Sequence, residues 1–239
     1  MAAANTLSAL ILQFVQMLLN EKPKGEAIRF ISHLDLMRVW HRTLRRAAVP
    51  LAYSEGFVPR PRISLAAPLS VGATGQAELM DVYLERRVSP LTLMKMLKPQ
   101  MPDGLETCAV EEVPPSLPSL QSLVHSAEYS VAGCLDTASQ TRTVVEGSIS
   151  EFPAAKEFPW QHRREDETRE YDLRRLVFDL RLRSWDEGPE VKYSMTMDLR
   201  ADTEGTGRPD QVLAAVGLSD TWVSIHRSAI VLQRRQAKG

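Results

Sequence analysis

Apolar residues recur along the chain with two different periods, and the switches between them mark the elements. The run from Leu7 ends in a strand at Phe14–Leu19, and Ala27–Ile31 reads as an extended piece. From Ser32 the period becomes that of a helix. At about 100° per residue, Leu36, Met37, Trp40, Leu44, Ala47 and Ala48 share one face, and Arg38, Arg42, Arg45 and Arg46 share the opposite one. Ser32 followed by Asp35 is the arrangement of a capping box, and Pro50 is expected to stop the helix. Alternation then predicts strands at Arg62–Ala66, Glu78–Glu85 and Leu105–Glu111. Ser89-Pro90 opens a helix between the last two, with Leu91, Met94 and Leu97 on its apolar side.

Glu112–Ser119 (EVPPSLPS) has the proline and serine content of a connector. Beyond it the same order of elements returns. Tyr129–Ala132 reads as a strand, Ser148–Phe158 as a helix, and Leu173–Leu182 and Val191–Leu199 as strands. Pro209 opens a helix that Gly217 ends, and Trp222–Leu232 is the last strand. The expected fold class is therefore α+β: two tandem ferredoxin-like (βαββαβ) units with antiparallel sheets. The expected domains are residues 1–113, a connector at 114–124, and residues 125–239.

Composition narrows the classes. Apolar residues at 44% and charged residues at 25% are those of a soluble globular protein. The run Leu7–Leu19 is shorter than a membrane span needs, and Met1–Ser8 lacks the positive charge of a signal peptide. No membrane association is expected. Two cysteines, Cys108 and Cys134, cannot supply the three thiolates of a radical-SAM cluster, so this chain is not itself such an enzyme. Few cysteines fit a reducing cytoplasm. No cofactor is expected, and Asp35, Glu78 and Asp81 have no recognisable metal-ligand spacing.

Charge is where the chain departs from the average. The net charge is −1, yet Arg29–Arg62 holds seven arginines against Asp35 and Glu55 alone. A basic patch on a near-neutral protein points to a polyanion. Arg38, Arg42, Arg45, Arg46, Arg60 and Arg62 are the candidate nucleic-acid contacts, because guanidinium groups fork onto phosphate oxygens. The bland alternative is a solvated helix face. Pro59 and Pro61 stiffen the loop that carries Arg60 and Arg62, and Gly56 permits a positive φ. Phe57 is expected to pack onto the sheet. Alternation puts Met80, Val82 and Leu84 in the core and Tyr83 on the open sheet face, where RNA-recognition domains stack bases. His33 and His41 are candidate acid–base groups for RNA cleavage. His33 also fits a packed residue near the helix start, and His41 lies at the border beside the arginines.

The strings RFISHLDLMR (Arg29–Arg38), LRRAAVPLAYSEGFVPRPRIS (Leu44–Ser64) and GATGQAELMDVYL (Gly72–Leu84) resemble a bacterial family known as radical-SAM-linked proteins. YDLRRLVFDL (Tyr171–Leu180), GRPDQVL (Gly207–Leu213) and IHRSAIVL (Ile225–Leu232) are similar to its C-terminal signatures. Arg60 stands where many relatives carry histidine, and Glu55 where glutamine is common. The resemblance implies a bacterial accessory protein fused to, or encoded beside, a radical-SAM enzyme, with a role in RNA modification. RNA and that enzyme are the expected partners. A metal-independent ribonuclease or RNA-modifying enzyme, and a protein–protein adaptor without RNA contact, remain the rival classes.

Overall fold

A computed structural model describes residues 13–21, 32–114, 116–135, 140–164, 167–218 and 222–233. The extended piece expected at Ala27–Ile31 lies outside them. The described fold is mixed α+β, and its first part runs β1 (Gln13–Glu21), α1 (His33–Arg46), β2 (Ile63–Leu65), β3 (Ala73–Gly75), β4 (Glu78–Leu84), α2 (Pro90–Leu97) and β5 (Leu105–Val113). Four of these strands form an antiparallel sheet in the order β2-β4-β1-β5. Met80, Val82 and Leu84 of β4 are fully buried and pack with Leu36, Trp40 and Leu44 of α1 and Leu93 and Leu97 of α2. Each such side chain contributes about 1.5–3 kcal/mol by leaving water.

Two details of this layer depart from the sequence pattern. Helix α1 ends at Arg46, before Pro50, because Ala48 turns left-handed at φ 52°. Val49 N donates to Leu44 O and Ala48 N to Arg45 O, a Schellman closure with alanine where glycine is usual. Ala48 is consequently exposed and leaves the apolar face it was assigned to. In α2 it is Leu93 that is buried, while Leu91 is 63% exposed in the first turn.

The second part runs α3 (Leu120–Leu123), β6 (Val124–Leu135), α4 (Arg142–Ala154), β7 (Pro159–Arg164), β8 (Glu167–Asp172), β9 (Val177–Asp186), β10 (Val191–Asp202), β11 (Gly205–Thr206), α5 (Pro209–Ala215) and β12 (Trp222–Leu232). Its sheet has the path β10-β6-β12, with β9 paired to the other side of β10. The inner face carries Ala127, Tyr129, Val131, Met195, Met197 and Leu199, covered by Val145, Ile149 and Phe152 of α4 and by Val212 and Leu213 of α5. The helix expected at Ser148–Phe158 thus begins six residues earlier. Val145, Ile149 and Phe152 at i, i+4 and i+7 make its apolar stripe, and Pro153 is tolerated in its last turn. The strand expected at Tyr129–Ala132 extends over twelve residues.

The two parts are joined by more than the connector. Strand β3 pairs parallel with β12, placing a first-part strand at the edge of the second sheet, so the pairing is not antiparallel throughout. Arg227 of β12 is 1% exposed, and its Nε donates to Glu78 Oε1 at 2.7 Å. Its terminal nitrogens reach Glu78 Oε2, Ala67 O and Pro68 O. Burial opposes the Arg227 charge, but Glu78 together with Tyr129 outweighs it and holds the pKa above the ordinary value. Within the expected connector, α3 is a helical turn, and Leu120 N donates to the fully buried Asp81 Oδ2 at 2.8 Å.

Candidate nucleic-acid interface

Helix α1 presents its arginines because its opposite face is spent on the core. Ser32 caps the helix, its Oγ accepting from Asp35 N at 3.2 Å and donating to Asp35 Oδ2 at 2.8 Å. Those bonds and Arg38, whose Nη1 lies 2.7 Å from Asp35 Oδ1, hold the Asp35 carboxyl below its ordinary pKa. Arg38 is thereby partly neutralised. Arg46 donates to Gln100 O at 2.9 Å. Arg42 and Arg45 are exposed and have no ion pair or hydrogen bond among the described residues. With Arg46 they line a groove of about 400 Å³. From Arg38 to Arg45 the stripe runs about 10 Å along the axis. The helix dipole accounts for a basic last turn, which leaves Arg42 without a structural reason for its charge.

The chain from α1 to β2 brings a second set to the same end of the sheet. Glu85 N donates to Pro50 O and Ala52 N to Tyr83 O, so the C-terminus of α1 and the foot of the following loop both lie at the C-terminal end of β4. The loop is an arm closed by the Tyr53–Pro61 bridge, by Ser54 N to Arg60 O at 2.8 Å, and by Arg60 N to Ser54 Oγ at 3.0 Å. Arg60 and Arg62 are exposed. The Arg62 guanidinium lies 4.2 Å from the centroid of Tyr83. Tyr83 is therefore no open stacking platform: one side of its ring holds Arg62, and Asp81 on the same sheet face is sealed by α3.

Two basic residues at this end escaped the sequence reading. Arg86 is exposed directly after β4, and Lys98 is exposed beside the Gln100 that Arg46 holds. The basic pair after the strand, Arg86-Arg87, was a readable signal; Arg87 is taken by Glu112. Phe57, expected on the sheet, is fully exposed at the tip of the arm, because Gly56 at φ 131° turns the chain outward.

The two histidines do not meet. His33 and His41 are half-buried on α1 and eight residues apart, about 12 Å along the axis, too far to share one phosphodiester. Burial pushes the His41 pKa below its ordinary value. His33 Nδ1 is enclosed without a partner among the described residues. Among the described residues no three of His, Cys, Asp and Glu cluster as metal ligands, and no described helix is long and apolar enough to cross a membrane.

The model of DUF2344, described as an uncharacterized protein conserved in bacteria, matches residues 21–209. No curated protein sequence matches the chain significantly. Among solved structures the chain is similar to one in a Cbf5-Nop10-Gar1 complex, at 13% identity and a TM-score of 0.47, over 90% of this chain and 48% of that one. It is also similar to a chain of the archaeal box H/ACA sRNP Nop10-Cbf5 complex, at 13% identity and a TM-score of 0.42, over 89% and 46%. The chain spans about half the length of these solved chains. At such values the likeness carries no inference about activity.

Proposed function

The chain belongs to the bacterial family DUF2344, and we propose that it is a cytoplasmic RNA-binding accessory protein that presents substrate to a radical-SAM partner enzyme. The observation that carries the RNA reading is the convergence of Arg42, Arg45 and Arg46 around one groove with Arg60 and Arg62 on the adjoining arm. An array of uncompensated guanidinium groups on a near-neutral protein attracts a phosphate backbone. Arg38, Arg42, Arg45, Arg46, Arg60 and Arg62 contact phosphates in this reading, and Tyr83 props Arg62. The radical-SAM partner rests on the resemblance of the sequence segments alone.

The same proposal takes the fold as two ferredoxin-like units, 1–113 and 125–239, around the connector 114–124. In its favour, the strands β1, β2, β4 and β5 and the strands β6, β9, β10 and β12 have one neighbour order, second-third-first-fourth, with a helix after the first and third strand of each set. The nuclease alternative through His33 or His41 has no paired acid and base to support it.

The test is retention of RNA. Full-length protein immobilised and incubated with total bacterial RNA is expected to retain RNA, and the Arg42→Ala/Arg45→Ala variant is expected to retain about tenfold less. Folding should be unchanged within about 0.5 kcal/mol, since both positions are exposed. Identification of co-retained proteins checks the radical-SAM partner. RNA left uncut by wild type is expected; specific fragments that vanish in His33→Ala or His41→Ala would promote the nuclease.

A further inference from the structure

The arm that carries Arg60 and Arg62 is built to hold one aromatic ring in water. Its foot is stitched to the sheet: Ala52 N donates to Tyr83 O, Tyr83 N to Arg62 O and Arg62 N to Ala52 O. Above the foot come the Tyr53–Pro61 bridge and the two Ser54–Arg60 hydrogen bonds. Pro59 and Pro61 fix φ on the returning limb. At the tip Phe57 is 108% and Val58 75% exposed, and Tyr53 beneath them is 42% exposed. A turn that served only to reverse the chain would be polar here. An apolar tip on a braced arm marks a contact surface.

The neighbours decide what covers the ring. The arm carries Arg60 and Arg62 against Glu55 alone, and Arg60 follows Phe57 by three residues, at most about 10 Å along the chain. A protein groove lined with apolar side chains would have to desolvate these guanidinium groups or supply carboxylates for them. An unpaired nucleotide offers both surfaces at once: a flat base for the ring and a phosphate for the arginine. A duplex keeps its bases stacked on one another and offers only the second.

We propose that Phe57 is a base-stacking platform, so that the chain takes single-stranded RNA with one unpaired base on Phe57 and the flanking phosphates on Arg60 and Arg62. This rests on the RNA-binding reading and adds the class of RNA. Stacking is tolerant of sequence because every base has a π-face, and the arm itself offers no edge-reading amide side chain.

The test uses the full chain and a fluorescein-labelled single-stranded RNA of about 12 nucleotides, within the usual range of single-strand sites, beside its duplex. Phe57→Ala and Phe57→Leu are both expected to weaken single-strand binding by about fivefold or more, with an unchanged salt slope and unchanged duplex binding. Phe57→Trp should keep the affinity and add an emission that the oligonucleotide quenches beyond the change seen in wild type. The stacking proposal is overturned, with RNA binding intact, if Phe57→Ala binds like wild type. It is equally overturned if Phe57→Leu restores full affinity, since an apolar contact then suffices. Loss of a co-purifying protein in Phe57→Ala with RNA affinity unchanged makes the tip a protein anchor. If wild type binds neither probe, the RNA-binding reading itself falls and takes this one with it.

Discussion

At Ala48 the backbone adopts a conformation that an L-residue with a Cβ resists, yet the Schellman bonds from Val49 and Ala48 depend on it. Ala48→Gly is expected to raise stability by about 0.5–1 kcal/mol, read as a higher urea midpoint with an unchanged slope. At the other end of α1, Ser32→Ala should lower stability by about 1 kcal/mol, because it removes the cap on Asp35 N. The cap was legible from Ser32 and Asp35 alone. The alanine stop was not, since a left-handed alanine has no sequence signal and Pro50 offered a more conventional end. Titration adds a third expectation. Burial lowers the pKa of His41 and of His226 below 6.5. A histidine with a depressed folded pKa binds fewer protons folded than unfolded, so its contribution is complete above 6.5 and drains as the pH falls below it. The urea midpoint should therefore be lower near about pH 5 than near about pH 7.5, and His41→Gln should reduce the difference.

Among the elements, β3 joins the first part of the chain to the second sheet by pairing with β12, and the Glu78–Arg227 pair ties β4 to the same strand. The guanidinium is held by Glu78, by the carbonyls of Ala67 and Pro68, and by the Tyr129 side chain. Removing one member strands a buried charge, so Glu78→Ala should cost about 3–5 kcal/mol, and Glu78→Gln/Arg227→Met less than the sum of its parts. Gly75 belongs to the same joint: a Cβ there would sit 2.5 Å from Glu78 Oε1, so Gly75→Ala should destabilise through that carboxylate. None of this was legible in sequence. Strand β3 is only Ala73-Thr74-Gly75, without a β-branched run, and its pairing comes from residues 152 positions away, where Thr74 Oγ1 meets His226 Nδ1 at 2.8 Å. Long strands such as β4 and β12 were legible because their alternation is local. Helix α4 was expected at Ser148–Phe158, with Pro153 in its middle; the helix instead spans Arg142–Ala154 and puts Pro153 in the last turn.

At the scale of the whole molecule, a first-part strand at the edge of the second sheet and a buried ion pair tie the two sheets together, while the polar surfaces of α1 and the arm gather charge at one end of the first sheet. The arginine stripe was legible because a helix wheel sorts it from Trp40 and Leu44. Arg86 and Lys98 were not included, since their place beside it depends on how the end of β4 and the turn after α2 meet α1. The polyanion reading predicts a surface whose affinity is set by counterions released from RNA. The measurement is the slope of log Kobs against log salt for single-stranded RNA, wild type beside Arg42→Ala/Arg45→Ala. Each neutralised phosphate contributes about −0.7 on single strands, so wild type should show a slope of about −2 or steeper, and the double variant one flatter by about 1.4. A wild-type slope near zero, or a double variant with the wild-type slope and affinity, would contradict it.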